Sequence, residues 1–183
     1  MNVLVGYFSE TGNTKRIAEA IATEATSGGH TVDVKTIGEL TPSALTTFDV
    51  AFLGTTCHSS DLAAPLRNLL DGLPTGVTCR IAGFVTHAVP MPEDGTWRAE
   101  MYEKWAGRCP QTFEALCAAK NVCYLGYFHC QGAPNPPIEA FIRTSIITDD
   151  ALWAEYSADM HDHPNEADLA AARAFAKDAL TED

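Results

Sequence analysis

The chain has 183 residues, a length that suits one domain with a full hydrophobic core. Hydrophobic residues make up 46% of the chain and charged residues 20%, which excludes a disordered protein, and no apolar run approaches the roughly 20 residues of a membrane span. The net charge of −12 argues against nucleic acid and anionic membrane surfaces as partners.

The first part of the chain alternates apolar strands with an amphipathic helix. Residues 3–8 form a continuous apolar run, typical of a strand covered on both faces. No basic region precedes this run, so we expect no signal peptide and a cytoplasmic location. A helix is predicted over 14–25, and two glycines end it. A more exposed strand over 30–37 and a buried strand over 50–54 follow.

The middle of the chain continues this alternation. We expect Asp61 to cap a helix over 62–70 that has a proline in its first turn. Another buried strand is predicted over 80–85. A long helix over 97–119 follows, which a glycine and a proline in its middle can interrupt.

The last part holds a fifth strand, an elaboration and a final helix. The strand is predicted over 122–128, and residues 131–137 are expected to be irregular because they include three prolines. Residues 132–163 form a polar elaboration of the single domain that spans 1–183. The helix that begins near 163–169 has one apolar face, formed by Leu169, Ala172, Phe175, Ala176 and Leu180. The alternation of strands and helices predicts a parallel sheet with helices on both faces.

The segment between the first strand and the first helix has the composition of a phosphate-binding loop. It places hydroxyl groups and a glycine at a helix start, where free N–H groups and the helix dipole favour an anion. The nucleotide triphosphatase motif is excluded because Asn13 replaces its lysine, and the dinucleotide fingerprint is absent. An ordinary capping turn remains the alternative. The segment consists of Ser9, Glu10, Thr11, Gly12, Asn13 and Thr14.

This segment resembles the phosphate loop of the flavodoxin family, [ST]-x-T-G-x-T, at every defined position. The resemblance implies an α/β three-layer fold with a five-stranded parallel sheet in the order 2-1-3-4-5. It also implies that FMN binds outside the strand ends, at the switch point between the first and third strands.

The resemblance further implies that the loops after the third and fourth strands hold the flavin ring, and a loop over 129–132 opens on the same edge. Neither ring loop contains the Trp or Tyr that usually covers the flavin; the nearest aromatics are Trp97 and Phe128. One flavin face is therefore open or covered by the late elaboration. The residues expected to contact the ring are Thr55, Thr56, Cys57 and His58 in one loop, and Thr86, His87 and Ala88 in the other.

Two histidines in these loops are candidates for tuning the redox potential. A protonated histidine would stabilise the anion of reduced FMN and raise the potential, whereas apolar cover and carboxylates would lower it. His58 and His87 are in the right loops. The alternative is that each ring caps a loop or meets solvent.

The cysteines and the remaining histidines give weak signals. No CxxC pair occurs among the six cysteines, so we expect buried small hydrophobic residues rather than a metal site or cluster. Cys57 beside His58 could be a reactive thiol, but it is treated as a loop residue. His161 and His163 lie in an acidic segment that suits a solvated surface better than a metal site.

The function predicted from the sequence is electron transfer by bound FMN. The alternatives are an NAD(P)H-dependent quinone or FMN reductase, and a non-redox scaffold that has kept the fold. A ferredoxin or reductase type of redox partner could dock on the acidic stretch 149–183, which carries ten acidic and two basic residues, a net charge of −8. The alternative for this stretch is a solvated helical face.

Overall fold

The computed structural model describes residues 1–181, so Glu182 and Asp183 of the acidic stretch lie outside the described residues. Five parallel strands form one sheet in the order β2-β1-β3-β5-β6, and a short strand, β4, pairs antiparallel with the end of β3. The predicted order of five parallel strands is confirmed, with β4 as an addition. The strands are β1 (Asn2–Tyr7), β2 (Thr31–Thr36), β3 (Val50–His58), β4 (Asp61–Leu62), β5 (Arg80–His87) and β6 (Tyr124–Gln131).

Helices cover both faces of the sheet, as the alternation of elements predicts. The α-helices are α1 (Asn13–Ser27), α2 (Ala64–Asp71), α3 (Trp97–Trp105), α4 (Arg108–Ala119), α5 (Pro136–Phe141), α6 (Asp150–Ser157) and α7 (Glu166–Thr181). Short 3-10 helices span Ile37–Glu39 and Pro42–Thr47, and a π-helical turn spans Ile142–Ile146.

The core has one hydrophobic layer on each side of the sheet. Helices α1 and α7 pack against one face, which includes Val5 and Phe52. Helices α2 and α4 pack against the other face, where Phe113 of α4 lies in the same hydrophobic cluster as Leu53 of β3. The elaboration has a small cluster of its own, in which Tyr156 is almost fully buried and donates a hydrogen bond from its hydroxyl to the Ala88 carbonyl, at 2.6 Å. That hydrogen bond ties the elaboration to the end of β5.

Strand β3 is longer than predicted and turns into a hairpin. It pairs with β5 as far as Thr56, and its last two residues pair with β4. Ser59 and Ser60 make the turn with φ of 50° and 69°, the pair of positive angles that a tight hairpin turn requires. Residues 55–58 therefore lie in a strand rather than in a loop.

The prediction that Asp61 caps a helix is wrong. Asp61 lies in β4 with 6% of its surface exposed, and its side chain accepts a hydrogen bond from the Leu62 amide at 2.7 Å. Helix α2 begins three residues later, where Pro65 suits a first turn because its missing N–H has no partner there in any helix. The Asp61 carboxylate instead pairs with Arg67 at 3.6 Å and with Arg108 at 3.5 Å.

Strand β6 contains a bulge and extends to Gln131, so the expected loop over 129–132 is mostly strand. In the register of β5 and β6, Ile81 pairs with Tyr124 and Gly83 pairs with Tyr127. One residue of β5 therefore lies opposite two residues of β6 between these pairs. Gly126 has a φ of 105° and accommodates the bulge without the strain that a Cβ atom would cause. Because of the extra residue, Tyr124 and Tyr127 pack on the same side of the sheet.

Two proline-containing segments also form helices. The predicted helix over 97–119 is interrupted between α3 and α4, where a Cβ at Gly107 would lie 2.7 Å from the Glu103 carbonyl oxygen. The expectation of irregular structure over 131–137 is wrong at its end, because Asn135 accepts a hydrogen bond from the Ile138 amide at 3.0 Å and starts α5. No helix within residues 1–181 combines the length and apolarity needed to cross a bilayer.

Candidate functional site

A cavity of about 330 Å³ lies at the carboxyl edge of the sheet. Nine predicted site residues line it: Glu10, Thr11, Asn13, Thr56, Cys57, His58, Thr86, His87 and Ala88. The cavity walls therefore come from the loop before α1 and from the ends of β3 and β5, the three places that the sequence indicates. The other predicted site residues, Ser9, Gly12, Thr14 and Thr55, do not line this cavity, and Thr14 and Thr55 are buried behind it.

The loop before α1 is held by its own side chains. The Ser9 hydroxyl oxygen accepts a hydrogen bond from the Gly12 amide at 3.1 Å. Gly12 has a φ of 92°, and no atom lies within 4 Å of the position a Cβ would take. The glycine is thus required by its left-handed backbone. Helix α1 begins directly after it, so the amides of its first turn point out of the helix start.

Asn13 connects this loop to the elaboration. Its side-chain amide donates hydrogen bonds to the Thr11 hydroxyl oxygen at 3.0 Å and to the Ala133 carbonyl oxygen at 2.8 Å. A Cβ atom at Gly132 would lie 2.8 Å from the side-chain nitrogen of Asn13, so a glycine fits next to Asn13 without displacing it. The loop and the far wall of the cavity are therefore one connected structure.

Thr14 and Thr86 join α1 to β5 behind the cavity. Their hydroxyl oxygens lie 2.8 Å apart, and both side chains are buried. One hydroxyl donates to the other, which leaves the second hydroxyl hydrogen free to donate to another acceptor. Since Thr86 also lines the cavity, a ligand there is within reach of this pair.

A hydrogen bond at the mouth of the cavity joins the loop before α1 to the β3–β4 hairpin. The His58 Nε2 lies 2.7 Å from a Glu10 carboxylate oxygen, and both side chains are exposed. The His58 ring also meets the edge of Phe8, with 6.2 Å between ring centroids. His58 is therefore a bridge between two cavity walls.

His87, which is buried, and His129, which is half-buried, form a pair of neutral rings beside the cavity. The Nδ1 atom of His87 lies 2.9 Å from the Val89 carbonyl oxygen, and its Nε2 lies 2.9 Å from His129 Nδ1. Because a carbonyl oxygen can only accept, Nδ1 of His87 carries the proton, and His129 Nδ1 donates to His87 Nε2.

The surroundings of this pair keep both rings uncharged. Burial, followed by the neighbouring His129, lowers the pKa of His87 to about 3. Burial also lowers the pKa of His129 to about 4. At neutral pH His87 is therefore neutral, which favours the alternative that the ring binds within its own loop over the hypothesis of a cation beside the flavin. Tyr102 and Tyr127 stack on the His129 ring at 4.7 Å and 5.5 Å between centroids, and complete an aromatic layer there.

The elaboration supplies the part of the cavity wall that the ring loops lack. Its contribution comes from Gly132, Ala133, Pro134, Asn135 and Ile138. The sequence suggests only that this segment could cover one side, because its prolines and polar residues indicate no particular contact. Phe128 and Trp97, the aromatic residues nearest to the ring loops in the sequence, do not line the cavity. Phe128 stacks on Phe175 with 5.9 Å between ring centroids, and Trp97 packs against the small cluster of the elaboration.

The sequence of the chain matches the family model of the flavodoxin domain over residues 4–177. The chain belongs to the flavodoxin family. No curated protein sequence matches it. Members of the flavodoxin family bind FMN at the switch point between the first and third strands. In this chain the loop before α1 and the cavity lie at that point, at the carboxyl edge beside β1 and β3.

Solved flavodoxin structures share the fold. A flavodoxin from the domain Archaea has 16% identity and a TM-score of 0.61, and the alignment covers 98% of this chain and 96% of the other. Flavodoxin 2 from Bacillus cereus has 14% identity and a TM-score of 0.62, with 98% of each chain covered. The rubredoxin oxygen:oxidoreductase from Desulfovibrio gigas has 12% identity and a TM-score of 0.61; 99% of this chain matches 37% of that longer one.

No group of three or more His, Cys, Asp and Glu side chains within residues 1–181 is arranged to hold a metal ion. His163 instead contacts Asp168 at 2.6 Å, and His161 contacts Glu139 at 3.2 Å. The cavity of this flavodoxin-family chain is lined by threonine hydroxyls, the Asn13 amide, the Glu10 carboxylate, the Cys57 thiol and two imidazole rings.

Proposed function

We propose that the chain binds FMN non-covalently in the edge cavity and uses it to carry electrons between redox proteins. The observation that carries this proposal is the phosphate-type loop before α1, which opens into a cavity walled by the ends of β3 and β5. Bound FMN would supply the redox chemistry, and the chain would supply its binding and its electrostatic surroundings.

The groups around the cavity fit the cofactor. Thr11 and the first-turn amides of α1 suit the phosphate, since hydroxyls and helix-start N–H groups stabilise a dianion. Thr56, Cys57 and Ala88 line the part that the ring would occupy. Apart from its neighbours in the chain, no residue lies within 4 Å of the place that a Cβ atom at Gly12 would take, so a ligand can approach the backbone there.

The charges near the cavity favour a low reduction potential. Reduced flavin carries negative charge, and a nearby cation would stabilise it. His87 is neutral because burial lowers its pKa to about 3, and the charge of His58, when present, is offset by Glu10 at 2.7 Å. A net charge of −12 opposes the reduced anion further. Such surroundings suit a donor of electrons.

We further propose that the partner is a redox protein with a basic surface. The net charge of −12 would attract such a protein from a distance and orient the encounter. Two carboxylates of the acidic stretch are already paired with arginines of the chain, as Arg98 contacts Glu155 at 2.6 Å and Arg143 contacts Asp150. The attraction is therefore assigned to the overall charge rather than to a dedicated helix face.

The Thr11→Ala variant tests the phosphate loop. The variant loses one hydroxyl group that would donate a hydrogen bond to the phosphate. FMN binding should therefore weaken by about tenfold, which corresponds to ~1.4 kcal/mol. Fluorescence quenching of free FMN by the apoprotein measures the Kd, and riboflavin, which lacks the phosphate, should bind more weakly than FMN to the unmodified chain.

Thr23→Ala is the matched control, because Thr23 is an exposed threonine in α1 away from the cavity. Equal FMN affinity for Thr11→Ala and Thr23→Ala would contradict the proposed phosphate site. Rapid consumption of NADPH with a quinone, by the FMN-loaded protein alone, would favour a reductase over a carrier.

A further inference from the structure

Two cysteines on different elements meet beside the cavity. Cys57 lies near the end of β3, and Cys109 lies in the first turn of α4. Their sulfur atoms are 3.6 Å apart, which is van der Waals contact, and a disulfide bond needs about 2 Å. The atoms could therefore bond after a side-chain rotation that closes the remaining gap.

The backbone around the two cysteines is held in place independently. Arg108, next to Cys109, pairs with Asp61 of the β3–β4 hairpin at 3.5 Å. The Cys109 thiol also lies 3.9 Å from the Ser60 carbonyl oxygen, and the Cys57 thiol lies 3.4 Å from the Trp105 carbonyl oxygen. The hairpin and the start of α4 thus present the two sulfur atoms to each other.

The two thiols differ in exposure and acidity. Cys57 is half-buried and lines the cavity, whereas Cys109 is fully buried. The hydrogen bond from Cys109 lowers the pKa of Cys57, and the same contact raises the pKa of Cys109. Cys57 is therefore the thiol that reacts first, and Cys109 is placed to attack it from behind. By contrast, burial raises the pKa of Cys79 to about 12 and that of Cys117 to about 11.

We propose that Cys57 and Cys109 form a reversible dithiol–disulfide pair that exchanges two electrons with low-molecular-weight disulfides. The Cys57 thiolate attacks one sulfur of the small disulfide, forms a mixed disulfide and releases one small thiolate. The Cys109 thiol then loses its proton and attacks the Cys57 sulfur, which releases the second small thiol. The protein dithiol is oxidised by two electrons, the small disulfide is reduced to two thiols, and excess thiol reverses the reaction.

The test is to equilibrate the purified full-length chain with mixtures of reduced and oxidised glutathione, starting from both the reduced and the oxidised protein. Free thiols are blocked with iodoacetamide in the presence of denaturant, so that buried thiols also react, and the chain is digested with trypsin and an endoprotease that cuts after glutamate. Cleavage after Arg108, Glu114 and Lys120 separates Cys109 from Cys117. Cys123 and Cys130 share the peptide 121–139 and are assigned by its fragmentation in the mass spectrometer.

The expected result is that Cys57 and Cys109 lose alkylation in equal proportion as the glutathione mixture becomes oxidising, and that one peptide pair joined by both appears. Cys109→Ser should abolish this product and leave Cys57 as a mixed disulfide with glutathione. Cys57→Ser should leave Cys109 alkylated at every ratio. Cys117→Ser, the control at another buried cysteine, should behave as the unmodified chain.

Two results would overturn the proposal, and both are read on the unmodified chain, so they do not depend on the folding of a variant. One is that Cys57 and Cys109 stay reduced at ratios that modify the exposed Cys123. The other is that Cys57 accumulates as a mixed disulfide without joining Cys109. Neither measurement requires bound FMN, so the proposed function and the dithiol pair can fail separately.

Discussion

At the residue scale, burial and not the local sequence determines the protonation state of His87 and His129. His87 comes at the end of a strand, and its sequence neighbours allow either a charged ring or a neutral one. In the structure only 3% of the His87 surface is exposed, and its Nδ1–H donates a hydrogen bond to the Val89 carbonyl oxygen. Strand position could be predicted from the sequence, but the contact with His129, 42 residues away, could not.

The same pair predicts a dependence of stability on acid. The pKa values of about 3 and about 4 in the folded protein lie below the ordinary value near 6.5 of the unfolded chain. The unfolded chain therefore takes up protons first as the pH falls, so this contribution to stability is full above about pH 6.5 and is lost progressively between about pH 6.5 and about pH 3. Each histidine adds a slope of up to ~1.4 kcal/mol per pH unit.

The variant His129→Asn checks this origin, because its side-chain amide can still donate to His87 but does not titrate. Urea unfolding between about pH 4.5 and 8 should show a shallower fall in the free energy of unfolding for His129→Asn than for the unmodified chain. His161→Gln, at an exposed histidine, should keep the original slope. A fall of equal steepness in all three proteins would assign the acid sensitivity to other groups.

At the element scale, the β3–β4 hairpin is the place where local sequence patterns fail to predict the structure. The buried run 50–54 predicts a strand, and β3 indeed begins at Val50. Its continuation through Thr55–His58 is polar, and it forms only because β5 and β4 pair with it. Asp61 has the residue type of a helix cap, but two arginines from α2 and α4 hold it in β4. These tertiary contacts override a local preference.

The turn of this hairpin gives a test by stability. Ser60 has a φ of 69°, and within residues 1–181 its buried hydroxyl has no hydrogen-bond partner. Ser60→Gly removes both the strained backbone conformation and the unpaired hydroxyl, so it should raise the free energy of unfolding by about 1 kcal/mol. Urea denaturation measures this change.

Ser59→Gly is the matched comparison, since Ser59 also has a positive φ of 50° but is exposed. It should gain only the backbone contribution, and so less than Ser60→Gly. If the two glycine variants were equally stable, the buried hydroxyl would carry no cost.

At the scale of the whole molecule, strand order and cavity position could be predicted well, whereas the cavity lining could be predicted only in part. Apolar runs predict a parallel sheet because they depend on local composition, whereas the strand order and the carboxyl edge as the place of the site follow from the resemblance of a short motif to the flavodoxin family. The wall formed by Pro134 and Ile138 depends on how the elaboration folds back. That packing comes from Asn13 and Tyr156, each of which bonds a distant backbone carbonyl.

The net charge of −12 predicts how electron transfer responds to salt. Transfer from the reduced FMN-loaded protein to cytochrome c, a basic haem protein, should slow by about tenfold between low salt and ~0.5 M salt, since screening removes the attraction. Ferricyanide, an anion, should instead be reduced faster as salt rises. Stopped-flow absorbance measures both rates, and a cytochrome c rate that is independent of salt would contradict electrostatic docking.

The bulge at Gly126 absorbs one residue of chain length, so the strand end keeps the facing that it would have in a strand one residue shorter. Deleting Gly126 would therefore restore simple alternation and leave Tyr127, Phe128 and His129 on their present sides of the sheet. Straightening the bulge at the same chain length would instead turn Tyr127 and His129 toward α1 and α7, and would move Phe128 and Cys130 to the opposite side. The aromatic layer beside the cavity is thus compatible with a shorter strand, whereas a change that removes the bulge and keeps the residue would exchange the two faces of the strand end.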